Sequence, residues 1–563
     1  LVGKEVPTAP EVLTPPEPPP DESPEGAADS ARSFVRHSAV MSVGTGLSRL
    51  TGFLRVAAMA YALGVTESRL ADAYNVANTT PNIIYELAVG GILASALVPV
   101  FVARLEREGR DQAWHTARAV LTVALVVLSG VMVLGILGSG LIIRMYTIGR
   151  HGAQIEAERH LASFFLKWFM PQIVFYGLGA GVATGLLNAH RRFAAPMFAP
   201  ILNNLVATAT FFLFAALPGP KGTIDITTTQ KLVLAVGTTL GVAIMSVALW
   251  PSLRRIGFRW RWTFDLKDRG LRRIGRLAGW ALVYVIVNQI GYLIVIILAS
   301  GRQGGVTAYQ SAFIFFQLPY AIFGVSIMTA LLPSLSSRWA DRDVATFRGQ
   351  LAQGIRATAF IVVPAAFGYL ALAVPIVRLL LQHGVASEQS THLLARLLAL
   401  FSIGLLPFCV FQLFLRAFYA MQDTRTPAII NIFAVGLNTA VNFLYYRYLN
   451  VEGLALGHAT AYTFAALVAV VVLRRRLGGL DGRRLAPALG QILLAGTATG
   501  GASWLVARAV AASAGTSALG PQILQVGGGI VAGLAAFLAI TIALRMPELR
   551  LIRESVAGRW SGR

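Results

Sequence analysis

Arg49 and Arg55 sit near the middle of Phe34–Gly64, an otherwise apolar stretch long enough to cross a bilayer. An arginine at the centre of such a helix costs about 2.5–3.5 kcal/mol to insert. That cost is tolerated where the charge faces a wet cavity, a partner or an anionic ligand. The two residues are six apart, about 120° around a helix of 3.6 residues per turn, so they can flank one cavity without stacking in line. A guanidinium stays ionised when partly desolvated, and its planar donors match paired phosphate oxygens. The pair therefore reads as a cationic cavity for a phosphate or pyrophosphate head group. The competing reading is an interhelical ion pair, with Glu86 on the next apolar stretch as the obvious partner. Glu86 itself can either tune the cavity or balance charge.

Other residues on these two helices bear on movement. Gly44, Gly46 and Gly52 allow bending or close packing. Asp72 stands where it can cap its own helix, with a gate or ion role as the alternative. Asn78-Thr79-Thr80-Pro81-Asn82 places a proline early in the second helix. Proline removes a donor and kinks the helix, and its polar neighbours can satisfy the freed carbonyls, which is a hinge-like arrangement. Later in the chain, Asn288, Gln289, Gln310, Gln317, Gln412, Asn431, Asn438 and Asn442 are uncharged lining candidates. Singly each fits helix packing; together they permit a hydrated interior.

Of 563 residues, 55% are hydrophobic and 13% charged, with a mean hydropathy of +0.64. Soluble domains are about 25% charged, so the composition is that of a membrane protein. The net charge of +22 lies mostly in short loops between apolar runs, which marks topology and argues against nucleic acid. A single cysteine, Cys409, excludes an internal disulfide framework. There is no phosphate loop of the nucleotide-binding type and no nucleophile elbow. His383 and His392 lack metal-ligand spacing. No catalytic residue, metal or cofactor is expected, and coupling to membrane potential or to a monovalent ion stays open.

The expected fold is an all-α polytopic bundle of about fourteen membrane helices. A Pro- and acid-rich segment, 1–32, reads as a disordered tail. An N-terminal lobe of six spans covers 33–250, a basic linker 251–275, a second six-span lobe 276–474, an appended helix pair 487–545 and a basic tail 546–563. One alternate set of loops holds Arg104, Arg107 and Arg110, Arg191 and Arg192, the many bases of 254–273, Arg338, and Arg474–Arg476. The positive-inside rule puts that set and both termini in the cytoplasm. Two internal echoes, Ala96–Pro99 with Ala330–Pro333 and Pro196 with Pro427, are offset by 234 and 231 residues. An even six-helix offset predicts a parallel repeat about the membrane normal.

Several runs carry a family resemblance. Ser48-Arg49-Leu50-Thr51-Gly52-Phe53-Leu54-Arg55 resembles the first-helix signature of the MurJ (MviN) lipid II flippases, within the multidrug/oligosaccharidyl-lipid/polysaccharide exporter superfamily. Asp72–Ala77, Pro81-Asn82 and Val98–Phe101 resemble that family's second helix, and Leu332–Ser336 and Arg416–Ala420 with Asp423–Pro427 extend the likeness over about residues 33–545. The resemblance implies two lobes around a central cavity and a C-terminal helix pair beside the lipid tail. It further implies alternating access that carries undecaprenyl-linked peptidoglycan precursor outward across a bacterial plasma membrane. It places Arg49 and Arg55 in the cavity, matches Asp72 to a family aspartate, and brings cell-wall synthesis proteins into view as partners. The chain departs from the family pattern at Tyr85-Glu86, where many members have two arginines, at Ile314–Gln317, where many have one, and at Val56, where an acid is usual. The alternatives are a flippase for another polyprenyl-diphosphate oligosaccharide, a small-molecule antiporter, and a non-transporting scaffold.

Overall fold

The structure is a computed structural model that describes residues 44, 46–87, 97–190, 192–277 and 279–548. The 1–32 segment, Arg191, Gly90–Ala96 and most of the C-terminal tail lie outside the described residues. Every regular element among the described residues is a helix. Ten are long and apolar enough to cross a membrane, or eleven when Glu388–Ile403 and Leu405–Ala420, bent by 49°, count as one span. The expected fourteen is not reached by that measure, for local reasons. The helix over 46–63 carries two arginines. The expected second span runs through the undescribed segment. The 33-residue helix Gly482–Ala514 is diluted by Gly, Ser and Thr.

Helix boundaries repeat along the chain. Helices end at Ala189 and Ala420, and the next begin at Ala194 and Arg425, each pair 231 residues apart. The fourth span of the N half is broken at Pro171 and widens into a π-turn over Gly177–Ala183. A wide turn leaves carbonyls without their usual i+4 donor. Ser246 answers one, its hydroxyl donating to the Phe175 carbonyl at 2.7 Å. Gly179 permits this close crossing, because a Cβ there would lie 2.4 Å from Ser246 Oγ. The C half has a π-turn over Tyr320–Gly324, just after Pro319, which the 234-residue offset pairs with the π-turn at Glu86 of the N half.

Gly482–Ala514 and Leu519–Ala543 pack on each other and on the long helix Val344–Leu381. Small residues set their separation. A Cβ at Gly533 would meet Ser503 Oγ at 2.3 Å, and Ser503 donates to the Gly529 carbonyl at 2.8 Å.

The basic linker is tied to the N half. Asp268 accepts from Arg104 at 2.6 Å and from the Leu271 amide at 2.9 Å, so it caps the helix Arg269–Leu277 while holding a buried guanidinium. Arg104 also donates to Thr116. Asp268→Asn should destabilise this docking by about 2 kcal/mol. That is less than the roughly 3–5 kcal/mol of a fully orphaned buried ion, since Glu108 still reaches Arg104 at 3.1 Å. Faster limited proteolysis between Arg254 and Arg269 is the expected readout.

Candidate transport cavity

Two adjoining chambers lie between the halves. The larger, about 520 Å³, is lined by Asn82, Ile83 and Glu86 from the N half and by Asn288, Gln289, Gln317, Gln412, Asn431 and Asn438 from the C half. The smaller, about 200 Å³, is lined by Arg55, Asn78, Asn82, Gln172, Tyr176, Asn203 and Gln310. Asn82, Tyr292, Tyr309 and Phe313 line both, so the space is continuous. The amides singled out in the sequence thus converge on one cavity. The exception is Asn442, which is buried and donates to Asn438 Oδ1 at 2.8 Å.

Arg55 points into the smaller chamber from the 46–63 helix. Arg49, one and two-thirds turns earlier, is exposed and is not among the lining residues of either chamber. Neither guanidinium has a hydrogen-bond or ion-pair partner among the described residues. Glu86 is exposed to the larger chamber and pairs with neither, so the ion pair weighed from the sequence does not form. Gly52 faces Asn204, whose amide donates to the Ser48 carbonyl at 3.1 Å and to Thr51 at 3.2 Å. A Cβ at 52 would sit 3.4 Å from that amide, an ordinary contact, so packing against Asn204 does not require glycine here. The helix Leu70–Tyr85 continues through Pro81 as α-helix and passes into a π-turn only at Glu86.

Asp72 does not cap its own helix, whose N-cap is Arg69 without a side-chain bond. It reaches across to the other half. Its carboxylate accepts from the Gly304 amide at 2.7 Å, the Thr307 amide at 2.9 Å and the Thr307 hydroxyl at 2.8 Å. It therefore caps Gly305–Pro319, where the free amides and helix dipole favour an anion. Sequence reading assigned Asp72 to the nearer helix because a cap partner 232 residues away leaves no local signal. Gly304 is required here on two counts: its φ is +75°, and a Cβ would lie 2.4 Å from the Val65 carbonyl.

Further bonds between the halves gather at the same end. Glu67 accepts from the Ser387 amide and the Ser390 hydroxyl, both at 2.7 Å. Gln303 donates to the Thr66 carbonyl at 2.8 Å, and Arg150 donates to the Ile297 carbonyl at 2.7 Å. Asn75 bonds Thr307 at 3.0 Å, and Gln310 bonds Thr79 at 3.1 Å. This end of the cavity is latched shut.

Beside the C half runs a nearly wholly apolar groove of about 460 Å³. Phe323, Phe360, Tyr369, Leu534, Phe537 and Leu538 are among its walls, and the appended helix pair supplies one side. Two cavity features escaped sequence reading. Tyr176, Tyr292 and Tyr309 look like ordinary core aromatics in a sequence. His458 sits among Phe313, Phe316, Phe401, Phe408 and Tyr462, with no partner for Nε2. Away from the cavity, His115, Asp265 and Asp268 bring ligand atoms within 4.8 Å of one another, but Asp268 is already committed to Arg104.

Two helical halves around a polar cavity, bridged by hydrogen bonds at one end, are the architecture of a multi-span membrane transporter. The fold is similar to that of a solved lipid II flippase MurJ in an inward closed conformation, with a TM-score of 0.73 at 20% identity, covering 90% of this chain and 99% of that one. It is also similar to an inward-facing MATE family multidrug transporter, with a TM-score of 0.62 at 17% identity, covering 78% and 95%. The family described as lipid II flippase MurJ matches residues 59–551, and this chain belongs to that family. A probable lipid II flippase MurJ of Rhizobium meliloti is 29% identical over 533 residues, covering 93% of this chain and 96% of the relative. Another, of Vibrio cholerae, is 28% identical over 541 residues, covering 93% and 99%.

The latch generates two predictions. Asp72→Ala removes an interlobe helix cap worth about 1–2 kcal/mol. Spin labels at His151→Cys, in an exposed loop, and Glu388→Cys, at the exposed start of a helix, should then show a larger population of long distances. Glu67 behaves differently with pH. Burial raises its pKa, but bonds from Ser387, Ser390 and Val65 outweigh burial and hold it below the ordinary glutamate value of 4.5. A depressed carboxylate stabilises its folded contacts above the unfolded pKa and loses that stabilisation as pH falls through the folded one. Glu67's contribution to holding the label distance short should persist from pH 8 to 5 and be lost only below about 4.5, an acid limb that Glu67→Gln should abolish.

Proposed function

We propose that this chain carries lipid II, a polyprenyl-diphosphate-linked peptidoglycan precursor, from the inner to the outer leaflet of a bacterial plasma membrane. The observation that carries the reading is Arg55, without a partner among the described residues, in a space lined mainly by neutral amides and tyrosines, with Arg49 exposed on the same helix. An anionic diphosphate supplies the missing counter-charge. Positive-inside topology places the basic loops, and the chain's termini, in the cytoplasm. The latched end then faces outward, and the head group enters from the inside. The apolar groove lets the polyprenyl tail stay in lipid while the head crosses.

No covalent step is needed, so the protein acts as a transporter without a catalytic residue or cofactor. Outward movement of an anionic head is favoured by an inside-negative potential, by about 2.3 kcal/mol per charge per 100 mV. A monovalent ion is the alternative source of coupling. Enzymes that use the precursor on the outer face are the partners this role calls for.

Arg49→Ala and Arg55→Ala each remove charge-assisted hydrogen bonds worth roughly 1.5–3 kcal/mol. Each should therefore lower lipid II export, read as outer-leaflet accessibility in flippase-depleted cells, by about tenfold to a hundredfold. Full rescue by the double variant at normal membrane abundance would reject the cavity role. A flippase for another polyprenyl-diphosphate oligosaccharide would also need the arginines, but would leave lipid II accessibility unchanged.

A further inference from the structure

A second apolar cleft lies outside the central cavity, on the basic face of the N half. It has a volume of about 180 Å³ and is walled by Leu121, Phe175, Val182, Trp250, Phe258 and Trp260. Its rim comes from the linker. Chain 258–262 has no regular secondary structure. Phe258 and Trp260 turn into the cleft, while Arg259 and Arg261 are exposed. Arg254 lies over the Trp250 ring at 5.8 Å, and Arg255 beside it is exposed. Arg118 is held close by donating to the Arg259 carbonyl at 3.0 Å.

The nearby acids do not neutralise this rim. Asp268 is taken up by Arg104, which leaves Asp265 as the other acid of the 254–273 segment, against Arg254, Arg255, Arg259 and Arg261 at the rim. Trp262, Phe264 and Leu266 stand exposed at 69%, 66% and 55% on the same segment. Indole and phenyl rings interleaved with arginine are the composition of a membrane–water interface. The cleft therefore opens where apolar helix gives way to guanidinium groups, at head-group depth.

We propose that this cleft is a binding site for an anionic phospholipid of the leaflet that meets the basic face. One acyl chain enters between Phe175, Val182 and Trp250, and the head-group phosphate lies among Arg254, Arg255 and Arg259. The site is built against the π-turn Gly177–Ala183, whose Gly179 and Val182 are among its walls, so its occupant packs on the least regular part of the fourth span. Charge complementarity selects the head group, and a narrow aromatic slot selects a chain end over a protein segment. The site is separate from the apolar groove of the C half, and does not depend on which substrate the central cavity carries.

Tryptophan quenching by brominated lipid in nanodiscs, with the full chain, tests the proposal. Brominated phosphatidylglycerol should quench more than brominated phosphatidylcholine at equal mole fraction. The excess should disappear in Trp250→Phe/Trp260→Phe, which leaves the other tryptophans as a baseline. Arg254→Gln and Arg259→Gln should lower the preference for phosphatidylglycerol roughly fivefold each, in line with the attraction of a basic residue to an anionic surface. Val182→Phe, which fills the cleft and keeps every charge, should also remove the excess. Its size-exclusion profile reports whether the fold survives, and the arginine variants, all exposed, stand independently of it. Equal quenching by the two lipids, or an excess that persists without Trp250 and Trp260, would overturn the assignment.

Discussion

An uncompensated guanidinium inside a bilayer is the constraint around which this molecule is arranged. Desolvating an ion is expensive, and the usual remedy is an internal counter-ion. Arg55 has none among the described residues, although Glu86 lines the adjoining chamber. The charge is instead kept near amides, phenols and open cavity. That choice preserves an attractive potential for an anionic ligand, which a tight Arg–Glu pair would have cancelled. It also requires the cavity to be wet, so the two halves cannot simply collapse onto each other.

The latch shows how closure is achieved without collapse. Its bonds are directional contacts between loop carboxylates, hydroxyls and main-chain amides at one end. Asp72 on a helix terminus and Glu67 on paired serines are the anchors. Each bond contributes modestly once exchange with water is counted. A small set of directional bonds can be broken and remade as the halves part, whereas interdigitated apolar packing of the same area would resist separation. Gly304, with its positive φ and its approach to the Val65 carbonyl, is where backbone shape makes the contact close enough.

Sequence reading went furthest where cost leaves a mark. Charged and amide residues are scarce in apolar helices, so Arg49, Arg55 and the lining amides stood out, and most of those amides converge on one cavity. It fell short where the information is non-local. Asp72 sits in the first turn of a helix, which makes self-capping the natural inference, but its partner lies in the other half. Tyr176, Tyr292 and His458 carry no mark, since aromatic residues are ordinary core components until a cavity is seen beside them. The count of spans was blurred by the features that make helices functional: arginines in one, and small residues in another. The family motifs supplied what periodicity could not, namely which helices belong together around a site.

The two halves contribute unequal chemistry to the cavity, and the inequality has a mechanical consequence. The C-half residues that line the larger chamber include no Asp, Glu, Lys or Arg. The charge comes from the N half. Under the proposed function, a diphosphate is held chiefly by the wall that carries Arg55, through charge-assisted bonds, while the other wall offers exchangeable neutral bonds. Neutral amides lose less on rehydration than a desolvated ion does. When the halves part, separation at the amide wall is the lower-cost step, and the ligand stays with the arginines until water from the newly opened side competes for them. Release is then governed by hydration of the same guanidinium groups that made binding favourable, so the orientation of the cavity, and not a change in its side chains, sets the direction of movement.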